Sequence, residues 1–222
     1  CMKYFLSLVV VALALSASAQ DSTKNFKPSQ GAFNAEVNFK PFGSNPISLS
    51  YLRFRTFFQD NIALRVGALY TQNTDEPNED TESRTSFFNI RPGIEFHYIG
   101  SNRLSPYFGF EFDVASRRSE FRSVTTSGFN NSIIDIEIEN ASDTNGSNRA
   151  YNRIGFNFIV GADFYIAPKL YLGTEFGYGY QQTNYKNIIE RSGGSIQSES
   201  NEAKSTEFGL NFNSAIRLGY FF

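Results

Sequence analysis

The sequence predicts an all-β fold: an eight-stranded antiparallel transmembrane up-and-down β-barrel. Three observations predict it. The stretch Thr206 to Phe222 sets Phe208, Leu210, Phe212, Ile216, Leu218, Tyr220 and Phe222 against Gly209, Asn211, Asn213, Ala215, Arg217 and Gly219. Side chains on a strand alternate between faces, so one face is apolar and the other polar and small. An apolar stripe of that length is an aggregation hazard on a soluble edge strand, and a requirement on a lipid-facing one. Seven further segments alternate in the same way, and the N-terminus carries an export pattern.

That export pattern is Lys3, an apolar run from Phe5 to Leu15, and the A-x-A site Ala17-Ser18-Ala19. Residues 1–19 read as a secretory signal peptide with Gln20 as the first mature residue. The run is too short to span a bilayer as a helix. Residues 20–31 are expected to be a periplasmic N-terminal segment and 32–222 the barrel domain. Cys1 precedes Met2, whereas a lipoprotein cysteine would follow the apolar run, so Cys1 is read as a numbering feature. The chain has no other cysteine, which excludes disulfides and thiolate metal sites from the mature part.

Composition fits a barrel. Phe (24), Tyr (12) and Gly (17) are abundant, Trp is absent, and the formal net charge is −2. Near balance argues against nucleic acid, which needs a basic face. Mean hydropathy is −0.33, and only alternate residues of a barrel strand meet lipid. Periodicity therefore decides where mean hydropathy cannot.

The first strand, near Ala32 to Phe42, puts Phe33, Ala35, Val37 and Phe39 opposite Asn34, Glu36, Asn38 and Lys40. The second, near Ile47 to Phe57, alternates Leu52 and Phe54 with Arg53 and Arg55. The third, Asn61 to Thr71, sets Ile62, Leu64, Val66, Ala68 and Tyr70 against Ala63, Arg65 and Gly67. The fourth, Thr85 to Tyr98, opposes Phe88, Ile90, Pro92, Ile94, Phe96 and Tyr98 to Asn89, Arg91, Gly93, Glu95 and His97. Pro92 lacks a ladder donor, so a local bulge is expected there.

Strands five to seven repeat the pattern. Phe108, Phe110, Phe112 and Val114 face away from Tyr107, Gly109, Glu111 and Asp113. Ile154, Phe156, Phe158, Val160, Ala162 and Phe164 oppose Arg153, Gly155, Asn157, Gly161 and Asp163. Leu170, Leu172, Phe176, Tyr178 and Tyr180 oppose Tyr171, Gly173, Glu175, Gly177 and Gly179. Tight turns at Gln59-Asp60-Asn61, Gly100 to Leu104 and Ala167-Pro168-Lys169 alternate with polar segments at Gln72 to Arg84, Ser116 to Ala150 and Gln181 to Ser205. Gly43 to Pro46 is a brief first outer loop. This is the asymmetry of short periplasmic turns and long extracellular loops, and an even strand count leaves both termini periplasmic. A soluble, lipocalin-like barrel is the competing reading. Its interior would have to hold the phenylalanines, and an eight-stranded barrel has room for little more than small and paired side chains.

The ASAQ signal end, "SLSYLRFRTFFQDNIALRVG", "RLSPYFGFEF" and "GADFYIAPKLYLGTEFGYGY" resemble the outer-membrane β-barrel domain proteins of Bacteroidota, which are similar in architecture to OmpA/OmpX-like eight-stranded barrels. The resemblance covers nearly the whole mature chain and is specific for fold rather than function. It implies that Tyr220 and Phe222 act as the C-terminal signal read by the barrel-assembly machinery. Arg217 departs from the glycine often found in that signal. No peptidoglycan-binding domain is expected after the barrel.

The inward parity collects Glu36, Glu95, Glu111, Asp113, Asp163, Glu175 and Glu207 against Lys40, Arg53, Arg55, Arg65, Arg91, Arg153 and Arg217. These charges can pair into a lumen plug, which is favoured here over a charged pore. His97, the only histidine, falls at the periplasmic rim, the wrong end for lipid A chemistry, and is expected to bond to Glu95 or Glu111. No catalytic residue, cofactor or metal site is assigned. Asp75 to Asp80, "DEPNED", reads as a solvated acidic loop without the spacing of a calcium-binding hand. Ile134, Ile136 and Ile138 alternate with Asp135, Glu137 and Glu139, and Asn145-Gly146-Ser147 offers a turn. A protruding ribbon is therefore one reading of the longest loop, with Phe121 and Val124 on it, and a mobile polar loop the other. Tyr185 to Ile189 with Ser192-Gly193-Gly194 suggests a second protrusion.

The expected function is a non-enzymatic outer-membrane barrel with an ion-paired, closed lumen, acting as a structural or interaction protein or as accessory subunit of a larger outer-membrane complex. Expected partners are outer-membrane lipid and lipopolysaccharide, the barrel-assembly machinery during biogenesis, and such a complex; nucleic acid is not among them. The alternatives are a small-solute channel or ligand-binding barrel, and a lipid-modifying outer-membrane enzyme.

Overall fold

The computed structural model describes residues 26–39, 47–98, 101–126, 133–212 and 216–222. The signal peptide, Lys40, the Gly43–Pro46 loop and Gly100 lie outside the described residues. Twelve strands are described: β1 (Phe33–Phe39), β2 (Ile47–Gln59), β3 (Ile62–Asn78), β4 (Thr81–His97), β5 (Leu104–Thr126), β6 (Ile133–Glu139), β7 (Tyr151–Ala167), β8 (Leu170–Tyr185), β9 (Ile189–Ser192), β10 (Ser195–Glu199), β11 (Ala203–Phe212) and β12 (Ile216–Phe221).

All pairings are antiparallel, and eight positions close into a ring. Neighbours run β1, β2, β3, β4, β5, β7 and β8. β11 and β12 both pair with β8 and together fill the eighth position, and β12 returns to β1. The remaining strands stand on the ring rather than in it. β6 folds back along the upper part of β5, β9 pairs with β6, and β10 with β9. The upper halves of β3, β4 and β5 thus continue through β6, β9 and β10 as one sheet.

Which face points outward is decided on β5. Phe108, Phe110, Phe112 and Val114 are 47, 37, 59 and 45% exposed, while the intervening Tyr107, Glu111, Asp113 and Ala115 are at most 4% exposed. Rings lie outside and charges inside, which inverts a soluble core. The outward apolar stretch runs Leu104 to Val114 on β5 and Leu170 to Tyr180 on β8. A tilted membrane strand needs about 9–11 residues. At its upper border the hydroxyls of Tyr70 and Tyr180 donate to Gln72 and Gln182 at 2.9 and 3.3 Å. An aromatic body with a polar tip suits that boundary. Neighbouring rings stack along the wall, as in Phe96–Phe108 (5.3 Å) and Phe110–Phe156 (5.8 Å).

Several expectations are corrected. The expected bulge at Pro92 is not formed. The β4–β5 ladder skips Arg91 and Pro92 but keeps one register on both sides, Ile90 opposite Val114 and Gly93 opposite Glu111. On β3, Val66 stands opposite Pro92 in unbroken register, so the missing donor costs bonds without shifting alignment. "DEPNED" is not a loop: β3 continues to Asn78 and β4 starts at Thr81, because threonines and serines on both arms pair as readily as the apolar residues below. The second protrusion does not stand alone; β9 and β10 extend the β6 sheet. Asn145-Gly146-Ser147 is not the tip of that ribbon either, but a turn between β6 and β7. There Asp143 accepts backbone hydrogens from Asn145 and Ser147 at 2.9 and 2.8 Å. Hydrogen bonds from Ser147 lead the causes that hold its carboxyl below the ordinary value.

Backbone crowding inside the ring makes several glycines obligatory, Gly109 among them. A Cβ on Gly109 would sit 2.3 Å from the Ile94 carbonyl oxygen, whereas one on Gly209 meets nothing within 4 Å. Gly109→Ala should cost about 1–3 kcal/mol, and Gly209→Ala less than about 0.5 kcal/mol. Urea titration of the refolded protein in vesicles checks this, and coincident midpoints would contradict it.

Candidate functional site

The interior of the ring is polar because the inward parity of every strand delivers a charge, an amide, a tyrosine or a glycine to it. Arg53 and Arg55 on β2 flank Glu36 on β1: Arg53 reaches it at 3.2 Å and Arg55 also pairs with it. Arg217 on β12 closes on the same carboxylate from the other side at 2.8 Å. Glu36 therefore meets three guanidiniums, and the Tyr171 hydroxyl donates to it at 2.7 Å.

The bonds that matter most cross the ring. β3 and β8 occupy opposite positions, yet Arg65 reaches Glu175 at 2.7 Å. β2 and β7 are also opposite, and Arg55 reaches Asp163 at 2.8 Å. Arg65 further holds Glu95 at 2.8 Å and Glu111 at 3.0 Å, and Arg55 holds Glu95 at 2.7 Å. Arg217 pairs with Asp163 at 3.1 Å. It also donates to the Tyr107 hydroxyl at 2.5 Å, which in turn donates to Glu175 at 2.7 Å. The planar fork of arginine suits such multiple carboxylate contacts. The guanidiniums of Arg53, Arg55, Arg65 and Arg217 are all buried, so removing any one partner would strand a charge out of reach of water.

Above this layer, Asp113 on β5 gathers Arg91 at 2.6 Å, Arg153 at 3.2 Å and the Asn89 amide at 3.1 Å. Below it, at the short-turn rim, His97 sits between the rings of Phe57 and Tyr107 at 4.9 and 5.0 Å. Its two nitrogens meet Glu95 and Ser105, each at 3.0 Å. Serine, imidazole and carboxylate in a row suggest a nucleophile and its base. Here, however, Ser105 is buried and Glu95 is committed to two arginines, so the trio is part of the packing. Tyr165, Tyr171, Phe221 and Ala32 form an apolar floor, with Phe26 packed against it. The backbone of Gly31 donates to the Phe57 carbonyl at 2.7 Å, which ties the lead segment across that rim.

Twelve of the fourteen network residues expected from sequence lie in this interior. Glu36, Glu95, Glu111, Asp113, Asp163 and Glu175 stand against Arg53, Arg55, Arg65, Arg91, Arg153 and Arg217. Lys40 lies outside the described residues. Glu207 is a correction: it is exposed on β11 and accepts from the Gln181 amide at 2.6 Å, because β11 pairs only with β8 among the described residues. The charges that remain still balance. Tyr220 and Phe222 lie side by side, rings 5.0 Å apart, and the backbone of Phe222 donates to Phe33 at 2.9 Å. Counting only charged side chains missed Tyr107, Tyr171, Asn34 and Asn89, although the same parity places all four inside.

The upper sheet has two unlike faces. Glu82, Arg122, Glu137 and Arg191 form one cross-strand row of alternating charge. Phe121 and Ile138 point to the other face, where Ser83 and Ser119 donate to the carbonyls of Ser142 and Asn148 at 2.9 and 2.5 Å. The segment between β6 and β7 is thereby tied to the inward side. Among the described residues no group of three or more metal-ligating side chains converges.

The family model described as "Outer membrane protein beta-barrel domain" matches residues 5–214. The chain belongs to this family. The family places it in the bacterial outer membrane, and an outward apolar face such as that of Phe108, Phe110 and Phe112 is the one a barrel there turns to lipid. The opacity protein opA56 of Neisseria gonorrhoeae is 22% identical over 153 residues, which span 63% of this chain and 64% of that relative. Among solved structures, the outer membrane protein OprG from Pseudomonas aeruginosa is similar at a TM-score of 0.48 and 12% identity, covering 89% of this chain and 98% of OprG. Ail, the attachment invasion locus protein of Yersinia pestis, is similar at 0.40 and 11%, covering 87 and 99%.

Proposed function

We propose that this family member is a non-enzymatic outer-membrane barrel whose lumen is closed by ion pairs, and that it acts through its upper sheet as a structural or interaction protein, an accessory subunit of a larger outer-membrane complex. The observation that carries the closed lumen is the pair of diametric bridges, Arg65–Glu175 and Arg55–Asp163. Two bridges across an eight-stranded ring leave no width for hydrated solutes. The strand count and the resemblance support an OmpA/OmpX-like barrel from Bacteroidota. Residues 1–19 act as the signal peptide and Tyr220 with Phe222 as the barrel-assembly signal.

Both termini are periplasmic and the β6–β9–β10 extension is extracellular, in keeping with the short turns at one rim and long segments at the other. Among the described residues β10 ends the upper sheet and pairs only with β9, and such an edge is suited to pairing with another chain. The interior histidine supports the non-enzymatic reading, since both its nitrogens are already engaged.

A tagged preparation in mild detergent tests both halves. Planar bilayers should show no reproducible porin-like steps, and affinity purification from the native envelope should recover a second outer-membrane protein in fixed ratio. Stable open steps would overturn the closed lumen. Recovery of the barrel alone across several detergents would overturn the accessory role.

A further inference from the structure

A second polar cavity lies outside the lumen. It occupies the outward side of β7, β8 and β11 above the apolar band, has a volume of 630 Å³, and is lined by Asn140, Asn152, Asn184, Tyr185, Asn187 and Lys204 among others. Its place follows from register. Phe156, Tyr180 and Phe208 form the top aromatic row of the wall, Ile154, Gln182 and Thr206 the next, and Asn152, Asn184 and Lys204 the one above. At about 3.3 Å per residue on a tilted strand, Asn184 stands roughly 9 Å above Tyr180, at headgroup level. A hydrogen-bonded chain climbs the same wall, from the Tyr180 hydroxyl to Gln182 and from the Gln182 amide to Asn184, each 3.3 Å.

The lining chemistry is that of a saccharide site. Side-chain amides donate and accept together, as sugar hydroxyls do. Asn187 gives its amide hydrogen to Glu199 at 2.9 Å, while its side-chain oxygen is buried with no hydrogen-bond partner among the described residues. A buried acceptor left open calls for a donor such as a hydroxyl. Lys186 and Lys204 also line the cavity against a single carboxylate, Glu202, which favours an anionic group. The charged cleft between β4, β5 and β6 is a poorer candidate, because its arginines are occupied by Glu82, Asp135 and Glu137.

We propose that this cradle binds the anionic sugar headgroup of an outer-leaflet glycolipid, whose acyl chains lie on the aromatic row beneath. The site rests on the outer-membrane reading, and its test separates the two. The protein is refolded into phosphatidylcholine vesicles doped with purified rough-type lipopolysaccharide, extracted in mild detergent, and assayed by native mass spectrometry for retained glycolipid. Wild type should retain one molecule. Asn152→Leu with Asn184→Leu, or Lys204→Glu alone, should retain at least tenfold less. Gln72→Leu with Thr74→Leu, at the same height on β3, should match wild type, and delipidated core oligosaccharide should displace the glycolipid only partly.

Equal retention by all variants overturns the site, as does equal loss in the β3 control. Retention of free oligosaccharide without the lipid form also overturns it. Insertion is read separately from the heat-dependent shift in gel mobility; a chain that never inserts overturns the membrane reading itself.

Discussion

Replacing Arg55 with methionine is expected to destabilise the folded barrel by about 3–5 kcal/mol. Arg55 is fully enclosed and lies among Glu36, Glu95, Asp163 and the Tyr171 hydroxyl. Its removal strands three carboxylates in a medium where each retains only part of its compensation. Glu95 keeps Arg65, and Glu36 and Asp163 keep Arg217. The shared carboxylates make the loss non-additive. Asp163→Asn in the Arg55→Met background should restore part of the stability, with a coupling of about 1–3 kcal/mol. Arg91→Met, whose side chain is one-third exposed, should cost about 1 kcal/mol or less, since the buried Asp113 it leaves keeps Arg153 and the Asn89 amide. Urea titrations followed by gel mobility in vesicles measure wild type, these three variants and Asp163→Asn alone, which closes the cycle. A loss below about 1 kcal/mol for Arg55→Met would mean that water reaches the central layer and that the lumen is open.

Most of the ring was legible because parity is a binary signal. Once Phe108, Phe110 and Phe112 are placed outside, Glu111 and Asp113 have only one place to go, and the same holds strand after strand. Parity also carried the network, since every one of its arginines and carboxylates inside the ring sits at an inward position. What parity does not encode is closure. Glu207 has the right face but lies on β11, which pairs only with β8 among the described residues, so it meets water. Nor does it encode which strand an outer segment will pair with. Ile134, Ile136 and Ile138 announced a strand, yet its pairing with upper β5 and then with β9 depends on contacts between segments far apart in sequence.

Polar strand extensions were the least legible part. Thr81, Ser83 and Thr85 opposite Ser123, Phe121 and Ser119 show no apolar alternation, because both faces of a sheet above the membrane can be wet. Backbone pairing and short hydroxyl bonds such as Thr81 to Ser123 at 3.2 Å sustain them, and a polar composition reads the same whether the backbone is paired or free. The amide cradle was missed for a related reason: its asparagines come from three separate segments, around Asn140, Asn152 and Asn184 to Asn187, and none of those segments carries a motif.

The lipid-facing side of the ring makes a prediction of comparable size to that for its interior. Phe110 lies near mid-height of the outward stretch Leu104 to Val114, so its neighbours in the folded state are hydrocarbon and the rings of Phe156 and Phe158 at 5.8 and 5.5 Å. Phe110→Arg should cost about 2–4 kcal/mol, the price of a guanidinium at the bilayer midplane. The same substitution at Tyr180, at the upper border where a hydroxyl already reaches Gln182, should cost about 0–1 kcal/mol, because the side chain can extend to the headgroups. The contrast depends on depth alone, since both positions are outward and 37 and 40% exposed. Urea titration in vesicles gives both values. If the two arginines prove equally tolerated, the medium around the phenylalanines is water rather than lipid. If both are equally costly, the apolar band extends higher than Tyr180 and the cradle above it lies inside the hydrocarbon.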